Sequence, residues 1–132
     1  MPHLLQVWPS VLKRLNEAEH ILLLSDYDGT LTPIAAQPDL AVLGQEPKNT
    51  LLSLSQRDKF IVGIISGRSL LDVSAMAGLP DLVYAGNHGL EISGPGLDFV
   101  HPEAEAFGKT QGLLVQDLQR ELSSLPGVLV ED

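Results

Sequence analysis

Apolar runs and amphipathic stretches alternate along the first two thirds of the chain. Residues 21–25, 60–65 and 82–85 are almost wholly apolar, which is typical of parallel strands buried on both faces. Stretches with an apolar side at helical spacing precede and separate these runs. They lie at 10–20, 47–57 and 70–77. This order predicts an α/β fold with a parallel sheet and right-handed crossover connections.

Capping residues and turn formers set the predicted ends of these elements. Ser10 is the predicted N-cap of the first helix, and Pro47 suits the first position of the second. Ser69 is the predicted cap of the third helix, which Gly78 ends. Residues 33–45 hold two prolines and a glycine and are predicted to form a loop.

The pattern changes after the third apolar run. Residues 90–93 and 97–100 flank Gly94-Pro95-Gly96, which predicts a hairpin. Residues 103–124 have the periodicity of a long amphipathic helix, and 127–130 are predicted to form one more strand. The last third of the chain therefore departs from the strand–helix alternation of the first part.

Two aspartates follow the first apolar run. Asp26 and Asp28 are two residues apart, so both side chains lie on one side of the extending strand. In open α/β sheets, ligands bind beyond the carboxyl ends of the strands. Two carboxylates held close together there repel each other, and a hard cation such as Mg²⁺, which prefers oxygen ligands, relieves that repulsion.

The pair suits phosphoryl transfer through an aspartyl phosphate. We assign Asp26 as the nucleophile and Asp28 as the general acid/base. Gly29 permits a sharp turn, and the Thr30 hydroxyl can fix it. The alternative is an ordinary strand-to-loop junction, where aspartate and glycine are common.

Further polar residues follow the second and third apolar runs. A hydroxyl or amide there can bond phosphate oxygens, a guanidinium can pair with phosphate or sugar oxygens, and a carboxylate can accept bonds from sugar hydroxyls. The candidates are Ser66, Gly67, Arg68, Asn87, His88 and Glu91. The alternative is a pair of polar turns with a solvated arginine, a structural histidine and an exposed glutamate.

Three segments together resemble a known family. Asp-Tyr-Asp-Gly-Thr-Leu-Thr-Pro-Ile at 26–34 is similar to the first motif of haloacid-dehalogenase-like (HAD) phosphatases, and more narrowly of trehalose-6-phosphate phosphatases. Residues 64–69 resemble the second motif of that family, and residues 85–92 resemble the segment that follows it. The resemblance covers residues 20–132.

The resemblance implies a three-layer HAD-like core, incomplete, over residues 1–106, and the beginning of a cap domain over 107–132. It implies a Mg²⁺ ion held by the Asp26 carboxylate and the Asp28 backbone carbonyl. It also implies that Ser66 contacts the transferring phosphate, that Arg68 lies near the substrate, and that Glu91 contacts the sugar.

Two elements of the family pattern have no counterpart in this sequence. These are a lysine that neutralises the nucleophile and phosphate, and a late acidic pair that completes the metal site. The resemblance therefore predicts a chain truncated within the cap. We expect such a fragment to turn over poorly or not at all by itself.

Composition narrows the possible partners. The formal net charge of −9 over 132 residues argues against nucleic acid and anionic membranes. The chain has no cysteine, no leader-like N-terminus and no apolar run long enough to span a bilayer, which favours a cytoplasmic protein.

The predicted function is Mg²⁺-dependent hydrolysis of trehalose 6-phosphate to trehalose and phosphate. Two alternatives stay open. One is another sugar phosphatase, of the sucrose-phosphate or mannosylglycerate type. The other is a non-catalytic relic that binds a sugar phosphate or a partner enzyme.

Overall fold

The computed structural model describes residues 3–128 and 130, and their side chains apart from those of 105–110. Nine helices and strands lie in this part of the chain, with short 3-10 turns between some of them. In order they are α1 (Trp8–Glu17), β1 (Ile21–Asp26), α2 (Gln45–Ser55), β2 (Phe60–Ile65), α3 (Leu70–Ala77), β3 (Val83–Gly86), β4 (Glu91–Gly94), β5 (Leu97–Val100) and α4 (Pro102–Leu122).

The strands form a single mixed sheet in the order β1-β2-β3-β4-β5. The first three strands are parallel, and β4 and β5 add an antiparallel hairpin beside β3. Asp26 pairs with Ile65, and Ile65 pairs with Ala85. The carboxyl ends of β1, β2 and β3 therefore meet at one edge, and the predicted α/β class is confirmed.

One face of the sheet carries the hydrophobic core. Val62 and Ile64 of β2 are buried, together with Leu51 of α2 and Val73 of α3. Tyr27, immediately after β1, is fully buried in the same cluster. Burial of these side chains supplies most of the driving force that holds the crossover helices on the sheet.

The opposite face of β1 and β2 is open in the described part of the chain. Leu22 is 61% exposed, Leu24 45% and Ile61 49%. The prediction that β1 is buried on both faces was therefore wrong. A continuous apolar run favours cover on both sides, but it does not itself supply the covering element.

The helix and strand limits were predicted with mixed success. The limits of β2 and α3 match the prediction at both ends. For α3 the reason is visible: Ser69 caps its start, and Gly78 ends it in the left-handed conformation with φ 60°. The prediction for α1 was wrong at its start. The helix begins at Trp8 with Pro9 in its first turn, and the Ser10 hydroxyl donates to the Val7 carbonyl at 2.7 Å from inside the helix. Likewise α2 begins at Gln45, so Pro47 is its third residue rather than its first.

The end of the chain departs from the prediction. Gly127 lies in a turn, and Val128 and Val130 are not in a strand, while residue 129 lies outside the described residues. The strand predicted at 127–130 is thus not formed by the residues that can be assessed. The predicted domain boundary between 106 and 107 falls within α4 and stays a prediction. Among the described helices, none combines the length and the apolarity that a membrane span needs.

Candidate active site

The two aspartates lie where β1 leaves the sheet. Asp26 is the last residue of β1, and Asp28 follows the fully buried Tyr27. Both carboxylates are on the exposed side of the chain, while the Tyr27 ring points into the core and its hydroxyl donates to the Ala41 carbonyl at 3.2 Å. The alternation predicted from the i, i+2 spacing is therefore present.

Arg68 binds Asp28 through two hydrogen bonds. Its Nε donates to Oδ2 at 2.8 Å, and its Nη2 donates to Oδ1 at 2.7 Å. The same Nη2 also donates to the Pro38 carbonyl at 2.8 Å. The guanidinium carbon lies 5.9 Å from the centre of the Tyr27 ring, within the range of a cation–π contact. Arg68 thus connects the loops after β1 and β2 with the 33–44 segment.

This contact changes the acidity of Asp28. The hydrogen bonds and the positive charge of Arg68 lower the pKa of the Asp28 carboxyl below the ordinary value of 3.8, against the opposing effect of desolvation. Asp28 is therefore ionised at neutral pH in this arrangement. Burial raises the pKa of the Tyr27 hydroxyl, so that group stays neutral.

Asp26 has a different environment. The Thr30 hydroxyl, predicted to fix the turn after β1, donates to Asp26 Oδ2 at 3.0 Å and so holds this carboxylate. Its other oxygen has no hydrogen-bond partner among the described residues, which leaves it free to react or to bind a cation.

The donors near Asp26 fit a magnesium ion only in part. The Asp26 carboxylate and the Asp28 backbone carbonyl are oxygen donors of the right kind, whereas the Asp28 carboxylate is engaged by Arg68. Within the described residues, no group of three histidine, aspartate or glutamate side chains could hold a metal. Mg²⁺ commonly binds through one or two carboxylates plus substrate phosphate and water. The two donors fit that kind of shared site.

Ser66 and Gly67 form the loop directly after β2. Ser66 is buried, and its Oγ accepts a hydrogen bond from the Arg68 backbone N–H at 3.1 Å. Ser66 N–H itself donates to the Ala85 carbonyl, which joins the β2 and β3 ends. The hydroxyl predicted to meet phosphate therefore lies at the same sheet edge as Asp26.

The loop after β3 interlocks with the loop after β2. Asn87 N–H donates to the Arg68 carbonyl at 2.7 Å, and His88 N–H donates to the Ser66 carbonyl at 3.1 Å. A Cβ atom on Gly67 would lie 2.7 Å from Cε1 of the His88 ring. Glycine at position 67 is therefore what allows the His88 ring to cover this loop.

Asn87 and His88 have unusual backbone conformations. Their φ values are +48° and +57°, in the left-handed region that few residues other than glycine adopt, although asparagine and histidine do so more often than most. The Asn87 side-chain amide donates to Glu91 Oε2 at 3.0 Å. This turn thus joins Glu91, at the start of β4, to the loops after β2 and β3.

A groove of about 860 Å³ opens beside Asp28 and Arg68. It lies between the 34–41 segment and the first turns of α3. Its remaining walls are formed by Ile34, Ala35, Gln37, Pro38, Asp39, Ala41, Gly67, Ser69, Asp72 and Met76. We call it the Asp28 groove.

The predicted site residues are therefore largely brought together. Asp26, Asp28, Ser66, Gly67 and Arg68 meet at the carboxyl edge of the parallel strands, and Asn87, His88 and Glu91 flank them. The direct pairing of Arg68 with Asp28 was not predicted, because Arg68 was assigned to phosphate or sugar oxygens.

Sequence reasoning also missed two contributors to the site. Tyr27 could have been found, since the residue between two same-side aspartates must point the other way, into the core. The Pro38 carbonyl carries no such signal, because a backbone acceptor is present at every position of the loop.

Comparison with known proteins places this site in a family. Residues 24–132 match the Trehalose-phosphatase family model. The trehalose-phosphate phosphatase of Mycobacterium tuberculosis (strain ATCC 25618 / H37Rv) is 34% identical over 131 residues, covering 93% of this chain and 32% of the relative. A probable trehalose-phosphate phosphatase E of Arabidopsis thaliana is 38% identical over 94 residues, which cover 71% of this chain and 26% of that protein.

Solved structures agree with the sequence comparisons. The C-terminal domain of the C. albicans trehalose-6-phosphate phosphatase superposes with a TM-score of 0.75 at 28% identity, covering 94% of this chain and 43% of that one. A trehalose-6-phosphate phosphatase related protein gives a TM-score of 0.70 at 25% identity, over 83% and 46% of the two chains. The chain spans about a third of the length of the first of these sequence relatives. The family match over most of its residues, with the paired aspartates at its start, shows that the chain belongs to the trehalose-phosphatase family.

Proposed function

We propose that this chain carries the nucleophile and phosphate-binding loops of a Mg²⁺-dependent phosphatase acting on trehalose 6-phosphate. The observation that carries the proposal is that Asp26 and Asp28 both lie on the exposed side of the chain at the end of β1, at the sheet edge where the buried Ser66 follows β2. The relatives named as trehalose-phosphate phosphatases support the choice of substrate.

The proposed reaction has two steps. An Asp26 carboxylate oxygen attacks phosphorus, the bond from phosphorus to the sugar oxygen breaks, and Asp28 gives its proton to that leaving oxygen. Water then attacks the aspartyl phosphate, Asp28 takes the water's proton, and Asp26 is regenerated as orthophosphate leaves. Mg²⁺, when bound by the Asp26 carboxylate and Asp28 carbonyl, supplies charge neutralisation for the phosphate.

The Arg68 contact sets a condition on the first step. Asp28 must be protonated to act as an acid, yet both of its oxygens accept hydrogen bonds from Arg68. The pair must therefore open before the proton is transferred. An arriving phosphate offers the guanidinium an alternative anionic partner of matching geometry.

The flanking loops supply the remaining phosphate and sugar contacts in this proposal. Ser66, Gly67 and Arg68 bind phosphate oxygens, and Asn87 and His88 add donors from the adjacent turn. Glu91 accepts from a sugar hydroxyl. Low turnover by this chain alone is part of the proposal, because the described residues offer only the Asp26 carboxylate and the Asp28 carbonyl to the metal and hold no cluster of three metal-binding side chains.

The proposal is tested by orthophosphate release from a panel of sugar phosphates. With Mg²⁺ present, we expect slow release from trehalose 6-phosphate that exceeds release from sucrose 6-phosphate and glucose 6-phosphate. Asp26→Asn should abolish it, while Asp58→Asn, an exposed carboxylate after α2, should leave it unchanged.

Mass spectrometry separates an inactive phosphatase from a binding relic. A chain that holds the aspartyl phosphate gains the mass of one phosphoryl group on Asp26 when incubated with substrate. Absence of both release and phosphorylation, with trehalose 6-phosphate still bound, would favour the non-catalytic alternative.

A further inference from the structure

We propose that the buried Tyr27 hydroxyl is a positioning group: it fixes the 38–41 turn, and that turn holds Arg68 against the acid of the proposed reaction. This inference rests on the proposed function, in which Asp28 is that acid, and it adds a residue to which the motifs assign no role. Tyr27 acts through Arg68 rather than on the substrate, since its side chain is fully buried.

A closed series of hydrogen bonds connects Tyr27 to the carboxylate that follows it. The Tyr27 hydroxyl donates to the Ala41 carbonyl at 3.2 Å, and the Ala41 N–H donates to the Pro38 carbonyl at 3.2 Å. The Pro38 carbonyl also accepts from Arg68 Nη2 at 2.8 Å, and Arg68 donates to both oxygens of Asp28. The series closes because Tyr27 and Asp28 are neighbours in the chain. We call these five residues the Arg68 network.

Tyr27 is the fixed member of this network. Its side chain is part of the hydrophobic core, and its N–H donates to the Ile65 carbonyl at the end of β2. Its own carbonyl accepts from the Thr32 N–H at 3.0 Å and from the Thr32 hydroxyl at 3.1 Å. The backbone of Tyr27 is thus held from two sides, so its hydroxyl can hold a segment that has fewer contacts of its own.

The 38–41 turn depends on that hydroxyl because little of the turn is buried. Residues 38–40 are exposed, and Ala41, at 3% exposed, is the buried member. The side chain of Ala41 is a single methyl group, which adds little apolar area to the core. The hydrogen bond from Tyr27 to the Ala41 carbonyl is therefore a large part of what keeps the turn against the core.

Loss of the hydroxyl should loosen the hold on Arg68. A buried carbonyl without its donor is unfavourable, so the turn would move towards water and take the Pro38 carbonyl with it. Arg68 would then keep Asp28 as a partner but lose its second acceptor. In the proposed reaction the guanidinium passes from Asp28 to the phosphate, so its starting position affects the rate.

Tyr84 offers a matched control for Tyr27. It is also buried, and its hydroxyl donates to the Leu79 carbonyl at 2.6 Å and accepts from the Leu79 N–H at 3.3 Å. These contacts hold the connection between α3 and β3 rather than the 38–41 turn. Phenylalanine at either position keeps the aromatic ring and removes one buried hydroxyl, so the two variants make the same chemical change at different places.

The first experiment follows the Arg68 Nε–H group of the 132-residue chain by NMR. This group donates to Asp28 at 2.8 Å and the Arg68 side chain is 15% exposed, so its hydrogen should exchange slowly with water. We expect Tyr27→Phe to accelerate that exchange roughly five- to tenfold, the effect of losing one hydrogen bond. Tyr84→Phe should leave it unchanged, although both variants should lower the melting temperature.

Two results of this experiment would overturn the inference. Unchanged Arg68 exchange in Tyr27→Phe would mean that Tyr27 only fills the core. Equal acceleration by Tyr27→Phe and Tyr84→Phe would mean a general loosening of the fold.

Arg68→Met tests the network from its other side, even if Tyr27→Phe does not fold. Coupling between two parts of a network is reciprocal, so this variant should accelerate exchange of the Ala41 amide hydrogen. The Leu79 amide, which donates to Tyr84, should exchange as before. Unchanged exchange at Ala41 would contradict the network.

Orthophosphate release separates this inference from the proposed function. With Mg²⁺ and saturating trehalose 6-phosphate, Tyr27→Phe should release orthophosphate roughly five- to tenfold more slowly than the unaltered chain, and Tyr84→Phe at the same rate. An unaltered rate in Tyr27→Phe would overturn the positioning role. No release by the unaltered chain would contradict the proposed function, and the exchange measurements would still decide whether Tyr27 positions Arg68.

Discussion

Arg68 shows how one side chain can bind several parts of the site at once. It donates to both oxygens of Asp28 and to the Pro38 carbonyl, and it lies near the face of the Tyr27 ring. Only 15% of the Arg68 side chain is exposed, against 43% for Asp28. The pair is therefore half in solvent, and its contribution to stability is correspondingly moderate.

Replacing Arg68 should make the free energy of unfolding less dependent on pH in the acidic range. The pKa of Asp28 is lowered in the folded chain, so the stabilisation from the pair is present above the ordinary value of 3.8 and is lost as the pH falls below it. We expect Arg68→Met to lower the free energy of unfolding by about 1 kcal/mol at pH 7 and by less at pH 3. Urea unfolding at the two pH values measures the difference.

Arg120→Met is the matched control for that measurement. Arg120 pairs with Asp117 on the surface of α4, where both side chains are mostly exposed. Its replacement should change the unfolding free energy by less than about 0.5 kcal/mol. An Arg68→Met effect equal at pH 7 and pH 3 would contradict the role given to the Asp28 pair.

Gly67 and His88 provide a second prediction at this scale. Gly67→Ala places a methyl group against the exposed His88 ring, which must shift from its place, so we expect it to destabilise the chain by about 0.5–1.5 kcal/mol. Gly112→Ala is the control, because nothing lies near its Cβ position in α4 and alanine favours a helix. Thermal unfolding should show a lower midpoint for the first variant and an equal or higher one for the second.

At the scale of elements, the sequence predicted those helix and strand limits that apolar runs and capping residues mark locally. The limits of β2 follow from an apolar run bounded by charged residues on one side and Ser66 on the other, and those of α3 follow from Ser69 and Gly78. The start of α1 was missed because Ser10 was taken as the cap although Pro9, just before it, is the stronger mark of a first turn. The final strand was predicted from a short apolar stretch, and four residues cannot form a strand without a neighbour to pair with.

The candidate site was also predictable only in part: the positions of its residues were, but the partner of Arg68 was not. The positions of Asp26, Ser66 and Asn87 at one edge follow from parallel strands of matched register. The Arg68 group that binds Asp28 also binds the Pro38 carbonyl of the 33–44 segment, and the path of such a loop has no periodic signature in the sequence.

Within the described part of the chain, β1 is an edge strand with an exposed apolar face, which predicts self-association. Its Leu22 side chain lies beside Ile61, and both are about half exposed or more. We expect Leu22→Lys to reduce light scattering of concentrated solutions while the unfolding free energy stays nearly constant. Leu23→Lys, on the half-buried side of the same strand, should destabilise the chain instead. If the two variants changed light scattering and the unfolding free energy equally, the two faces of β1 would not differ in the way described.

At the scale of the whole molecule, the proposed reaction requires a metal site that the chain and its ligand complete together. The described residues offer the Asp26 carboxylate and Asp28 carbonyl but no cluster of three metal-binding side chains. Mg²⁺ should therefore bind weakly alone and more tightly with an anion that contributes oxygen ligands.

A metal site shared with the ligand predicts a rise in melting temperature only when Mg²⁺ and orthophosphate are both present. Mg²⁺ or orthophosphate alone should leave the melting temperature nearly unchanged, whereas both together should raise it by a few degrees. Asp26→Asn should remove the joint effect, and Asp58→Asn should keep it. A full shift with Mg²⁺ alone would mean that the chain itself provides a complete metal site.

The contact between Gly67 and the His88 ring has a consequence for sequence variation. The two residues lie 21 positions apart along the chain, yet the space for a side chain at one is occupied by the other. A population of related genes should therefore vary at these positions jointly. Alanine or serine at 67 should occur more often with a residue lacking a ring at 88 than with histidine.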